Sequence, residues 1–198
     1  MGKLLSLDLS SKVGYAVAEI DLETKDFKLV ESGGVPKVDC GKEPYPTNYY
    51  NWALTCSNQT IELIKKVKPD KVVIEETTPG RNALSQKFLD WVHLLIIKYL
   101  VIDNKYDLQY LRTGEWRKLI DLHQTKEDKL QNKEINKIRK ATGDKVVKAD
   151  GKRIGKITKK HLSVRFANEK FDLSLKLKDN DQADAICIAF AEFIRLIK

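Results

Sequence analysis

Leu5, Leu7 and Leu9 alternate with Ser6, Asp8 and Ser10, and a period of two over residues 3–10 predicts a β-strand with one apolar face. Two more strand-like segments follow, at 13–20 and 27–33, separated by polar Asp-Leu-Glu-Thr-Lys-Asp. A short polar link between strand patterns predicts an antiparallel meander. The period then changes. Trp52, Leu54, Ile61, Ile64 and Val67 recur at roughly helical spacing, and Lys68-Pro69 ends the run, because a residue before proline is steered away from helical dihedrals. Lys71 to Glu75 reads as a fourth strand. A helix over about 83–102 and a fifth strand at 106–111 come next. Shorter helices follow at 113–122, with Thr113 as N-cap, and at 126–142, 158–170 and 180–197, while Asp150-Gly151 has hairpin-turn chemistry. This order describes an α/β protein with a mixed five-stranded sheet flanked by helices.

The 198 residues suit a single domain, 1–198, and are enough to bury a substantial core. The net charge of +8 favours anionic partners, and its distribution says more. Residues 124–170 hold 15 Lys or Arg against 6 Asp or Glu, so the rest of the chain sums to −1. The excess lies in a basic helix and hairpin at about 122–160, rich in Lys and Asn, that reads as an insertion. Such a concentration is what contacts to a phosphate backbone need, and equally what a solvated face shows. Cys40, Cys56 and Cys187 are odd in number and lack metal-ligand spacing, and no apolar stretch follows a basic start as a secretion signal would require. An intracellular protein is expected. The most apolar run, Phe88 to Ile102, is broken by Asp90, His93 and Lys98 and is too short and charged to span a bilayer.

Three acidic motifs carry the chemistry. Asp8 lies in the first strand pattern. Glu75 and Glu76 follow the aliphatic run Val72-Val73-Ile74, and alternation sends them to opposite faces, so that one of the two can enter a site. Asp181 and Asp184 stand three apart at the opening of the last helix, which puts both on one face of its first turn. Acids near a helix start are favoured by the macrodipole alone. Asp184, however, sits between Ala183 and Ala185 just before Ile186, Cys187 and Ile188, where the helix enters the core and a carboxylate needs a cation. Carboxylates drawn together repel unless divalent metal is present, which implies Mg²⁺ or Mn²⁺. His93, His123 and His161 are dispersed, which argues against zinc.

The element order and these acids resemble the ribonuclease H-like superfamily, and specifically the RuvC-type Holliday junction resolvases with their phage-encoded relatives. The resemblance covers nearly the whole chain and is most specific in Asp181-Gln-Ala-Asp184-Ala. It implies that Asp8, Glu75, Asp181 and Asp184 are the catalytic and metal-binding set, holding two Mg²⁺ ions, with Mn²⁺ able to substitute. It selects Glu75 over Glu76 and implies hydrolysis to a 5′-phosphate and a 3′-hydroxyl. Lys145, Lys148, Lys152, Arg153, Lys156, Lys159 and Lys160 would grip DNA, with Lys160 matching the basic position before the last motif. A four-way junction has near two-fold symmetry, so a homodimer is implied. The helix at 83–102, apolar nearly all round, needs two burial partners, the sheet and either the rest of the core or its own copy in a second subunit. The implied localisation is a bacterial cytoplasm, possibly that of a phage-infected host.

The chain departs from the bacterial resolvases at Thr78, where they carry an aromatic wedge, and in the insertion. Three other readings stay open. One is a nuclease of the same fold acting on forks, flaps, RNA–DNA hybrids or precursor RNA. Another is a non-catalytic DNA-binding protein. The third is a phosphotransferase of the actin and sugar-kinase class, faintly resembled by Asp8-Leu-Ser-Ser-Lys with Gly14, but that fold needs two such domains, which 198 residues do not supply.

Overall fold

The computed structural model describes residues 1–77, 83–143, 147–149 and 152–198, with the strands at 147–149 and 152–154 described by their backbone alone. The expectations placed on Thr78, Lys145 and the Asp150-Gly151 turn lie outside the described residues, as do the side chains of Lys148, Lys152 and Arg153. Strands β1 (Gly2–Asp8), β2 (Gly14–Asp21) and β3 (Asp26–Gly34) form the antiparallel meander. Helix α1 (Thr47–Val67) leads to β4 (Lys71–Glu75), and α2 (Ala83–Ile97) leads to β5 (Asp107–Leu111). Both β4 and β5 run parallel to β1, and the sheet order is β3-β2-β1-β4-β5. Then come α3 (Thr113–Leu119), α4 (Lys126–Thr142), the antiparallel pair β6 (Val147–Ala149) and β7 (Lys152–Ile154), α5 (Lys159–Phe171) and α6 (Asn180–Leu196).

Strand alternation sorts the core into two layers. Leu5, Leu7, Val72 and Ile74 pack under α1 and α2, where Trp52 stacks on Phe88 with ring centroids 3.9 Å apart. Leu4, Ala16, Ala18 and Val73 face the other way, beneath α6. Ala183, Ala185, Ala189 and Ala191 let that helix lie close on the sheet, and fully buried Ser6 donates to the Ala185 carbonyl at 2.6 Å. The polar-alternate face of β1 is therefore covered by α6, with Asp8 as its last residue. At about 25 cal/mol per Å² of apolar surface, burying the strands on both faces outweighs the low strand propensity of Ser6 and Asp8.

Two expectations need correction. The helix after β4 is α-helical only to Ile97, after which Lys98–Asp103 continues as a π-helix that keeps Leu100 fully buried and ends where the Asn104 side chain donates to the Tyr99 carbonyl at 2.9 Å. The N-cap of α3 is Arg112, not Thr113, because the Thr113 hydroxyl is turned to the Glu75 carboxylate instead. Among the described residues, no helix is long and apolar enough to cross a membrane.

Candidate active site

Leu7 pairs with Ile74, so Asp8 and Glu75 end two neighbouring parallel strands side by side. Val73 lies on the α6 face of the sheet, and alternation puts Glu75 there too. Glu76 goes the other way, its carboxylate receiving a 2.8 Å bond from Arg112 Nε. Asp181 and Asp184 come from the first turns of α6. Gly14, paired with Asp8 across β1 and β2, is what lets the start of α6 descend this far. A Cβ there would overlap the Asp181 carbonyl and stand 2.8 Å from the Gln182 nitrogen. Gln182 Nε2 also donates to Ser32 Oγ at 2.9 Å, which ties the helix start to β3.

The four acids share one electrostatic neighbourhood. Burial, then Glu75, Asp184 and Asp181, hold the Asp8 carboxyl well above the ordinary range, with Lys160 pulling it back down. Burial likewise pushes Asp184 up to about 6, opposed by a hydrogen bond from Ser163 and by the Arg117 guanidinium, and reinforced by Glu75 and Asp181. These shifts are the signature of like charges gathered out of water without a sufficient counter-charge. Among the described residues, no three histidine, cysteine or carboxylate side chains close on one point as a finished ligand shell. Three of the four have their own restraint instead: Thr113 on Glu75, Asn180 on Asp181, Arg117 and Ser163 on Asp184. Mutual repulsion keeps such groups apart, and a divalent cation is what would draw them in. A cleft of about 220 Å³ opens at the strand ends, lined by Asp8, Glu75, Glu76, Thr77 and Thr113 among others, with Asp181 and Asp184 outside its lining.

Arg117 is the residue that sequence reasoning missed. It is only 9% exposed; Nη2 donates to Asp184 Oδ1 and to Ser163 Oγ, both at 3.2 Å, and its guanidinium lies 4.2 Å from the centroid of the Trp116 ring. A single arginine within Thr-Gly-Glu-Trp-Arg-Lys carries no signal of this, since what buries it is the meeting of α3 with α5 and α6. Thr113 and Asn180 were equally silent. Among the expected DNA-contacting residues, Lys159 and Lys160 stand exposed at the start of α5, and Lys156 is partly buried in the link before it. Lys160 is the one whose charge reaches Asp8.

The donors at the cleft are all oxygen, which suits hard cations such as Mg²⁺ or Mn²⁺. The histidines are committed elsewhere: His93 to the Tyr110 hydroxyl at 2.9 Å, His123 to Asp121 at 3.1 Å and His161 to Thr158 at 2.8 Å.

No protein-family model matches the sequence, and no curated protein is similar to it in sequence. In three dimensions the chain resembles Thermus thermophilus RuvC in complex with a Holliday junction substrate, at a TM-score of 0.62 and 11% identity over 96% of this chain and 93% of that one. A second structure of Thermus thermophilus RuvC aligns at 0.60 and 12% identity over the same shares. The yeast mitochondrial Holliday junction resolvase Ydc2 aligns at 0.54 and 11% identity, over 99% of this chain and 79% of that one. The chain has the ribonuclease H-like α/β fold seen in these RuvC-type structures.

Proposed function

We propose that this chain is a divalent-metal-dependent endonuclease that nicks DNA at branch points, with the four-way junction as its preferred substrate. The observation that carries the reading is the convergence of Asp8, Glu75, Asp181 and Asp184 from two adjacent strand ends and one helix start, with Lys160 beside them. Those acids would hold two Mg²⁺ ions, or Mn²⁺ in their place. Bound there, the ions would supply activation of a water for attack at phosphorus and charge neutralisation on the departing 3′ oxygen, so that the products would be a 5′-phosphate and a 3′-hydroxyl.

The protein's own groups prepare that chemistry. Thr113 hydrogen-bonds the Glu75 carboxylate, and the Arg117 guanidinium hydrogen-bonds Asp184 and opposes the upward pull of burial on its pKa. Lys160 brings positive charge to Asp8, and Lys159 stands exposed next to it at the start of α5. With Lys145, Lys148, Lys152, Arg153 and Lys156 they form a backbone-gripping set that recognises branched shape more than base identity. The basic segment at about 122–160 is then an insertion within one nuclease domain.

The choice of a junction is supported by the shared fold of resolvases, one of them in complex with a Holliday junction substrate. It also draws on Leu94, Val101 and Ile102, which are 63%, 40% and 68% exposed on and beyond α2 and offer an apolar face to a second copy. A homodimer so formed presents two sites for paired, symmetric nicks. Cys40, Cys56 and Cys187 are all free, which fits an intracellular enzyme. Cleavage of a labelled immobile four-way junction, set beside a linear duplex, a fork and an RNA–DNA hybrid in Mg²⁺, tests the substrate. Symmetric nicks confined to the junction are expected, and faster cutting of the fork or the hybrid would overturn the junction assignment while keeping the nuclease.

A further inference from the structure

Helix α4 is built for a fixed orientation. Its N-cap Thr125 accepts from the Asp128 amide at 3.1 Å, and Gly143 closes it at φ 73°. One side is docked. Asp128 receives Arg165 of α5 at 3.1 and 2.7 Å, Asn132 makes both a donor (2.9 Å) and an acceptor (2.8 Å) bond to the backbone of Ile157, and Ile135 is buried. These bonds lock the helix to the link that runs directly into Lys159 and Lys160.

The side turned away from the dock is a row of like charge. Lys126, Lys129, Lys133, Lys137 and Lys140 are all exposed and follow one another at intervals of three or four residues. At 100° per residue they fall within an arc of about 80° and extend about 21 Å. The helix's exposed acids, Glu127 and Glu134, fall on a neighbouring face. Among the described residues, no ion pair engages any of the five. Like charges at this spacing destabilise a helix, and a surface meant only for solubility intersperses both signs. A linear polyanion removes the repulsion along the whole row. About 21 Å of duplex axis carries roughly six phosphates on one strand, so a single narrow row matches a backbone edge. A membrane-binding helix would set an unbroken apolar face beside its cations, whereas Glu134 interrupts Leu130 and Ile138.

We propose that this lysine row binds the phosphate backbone of a duplex DNA arm, at a distance from the bond that is cut. This rests on the nuclease reading for the identity of the polymer. The row and the lysines at the start of α5 form one rigid electrostatic track, because the dock through Arg165, Asn132 and Ile157 leaves α4 no independent rotation.

The test is anisotropy titration of a long-armed four-way junction in chelator, where nothing is cut, across a series of salt concentrations. The parent chain is compared with Lys129→Gln/Lys133→Gln/Lys137→Gln, with the single Lys133→Gln, and with the control Lys25→Gln/Lys68→Gln/Lys105→Gln at the opposite end of the sheet. At about 0.9 in log–log slope per phosphate contact, the triple variant is expected to be shallower by about 2 to 3 and the single by about 1, while the control matches the parent. The charge-keeping Lys129→Arg/Lys133→Arg/Lys137→Arg should restore the slope. An unchanged slope in the triple variant overturns the proposal, as does an effect confined to anionic vesicles or equalled by the control. A slope change in a chain that cuts no substrate would leave the row standing and remove the nuclease; junction cutting with an unchanged slope would do the reverse.

Discussion

Gly14 and Asp8 face each other across the first two strands, and a residue without a side chain is what allows an acidic helix start to rest on an acidic strand end. Gly14→Ala would drive a methyl group into the Asp181 and Gln182 backbone, which cannot yield as a flexible side chain can. We expect it to cost about 2 kcal/mol or more in urea unfolding and to remove cleavage, because relief requires α6 to lift off the sheet. Thr113→Val keeps the shape and deletes a hydroxyl bonded to Glu75. A hydrogen bond of about 1 kcal/mol, felt only when the carboxylate must be aimed, predicts a cleavage rate roughly fivefold to tenfold lower with little change in stability. That Asp8, Glu75, Asp181 and Asp184 would come near one another was legible in the sequence, because they end two strand patterns and open the last helix. Arg117, Thr113 and Asn180 were not, because their role exists only once three distant helices meet the strand ends.

Elements were legible wherever the period was clean. The bounds of β4 and α4 agree with those read from alternation and caps. The end of α2 was not, since a passage from α to π turns leaves the apolar pattern nearly intact and is decided by how Leu100 meets the core. The same helix carries a titratable core residue. His93 is 7% exposed, and burial holds its pKa down at about 4 against an ordinary 6.5, with Asp90 opposing. The unfolded chain therefore binds the extra proton first as the pH drops, so the stability His93 contributes is present above pH 6.5 and is lost as the pH falls toward 4, by up to about 3 kcal/mol. The difference in urea midpoint between wild type and His93→Gln, followed from pH 7 to 4, should shrink across that window. A difference that stayed constant would mean that the ring is not held neutral. On the outward side, Leu94→Glu should convert the proposed dimer to a monomer in sedimentation equilibrium while leaving the unfolding transition near that of wild type, as Leu94 is 63% exposed.

At the scale of the molecule, charge and fold are arranged around one end of the sheet. The strand ends bring acids together, while the positive excess of residues 124–170 lies in the elements between α3 and the body of α5, next to them in the chain. Under the proposed function, an acidic centre with basic elements next to it in the chain suits an enzyme that holds a polyanion and cuts it. The fold itself was largely legible from the order of periods, because a meander followed by two helix–strand units leaves few ways to build one sheet. Chain pairing and substrate geometry were not, since periodicity does not see beyond one subunit. The claim on which the rest depends is that the four acids make a metal-dependent cutting site. The direct measurement is single-turnover cleavage of a four-way junction by wild type and Asp8→Asn, with Mg²⁺ and with chelator, and binding of the same DNA recorded alongside. Wild type is expected to cut in Mg²⁺ and not in chelator, Asp8→Asn to cut at least about a thousandfold more slowly, and both to keep junction binding. Cutting that survives in Asp8→Asn or in chelator would contradict the claim.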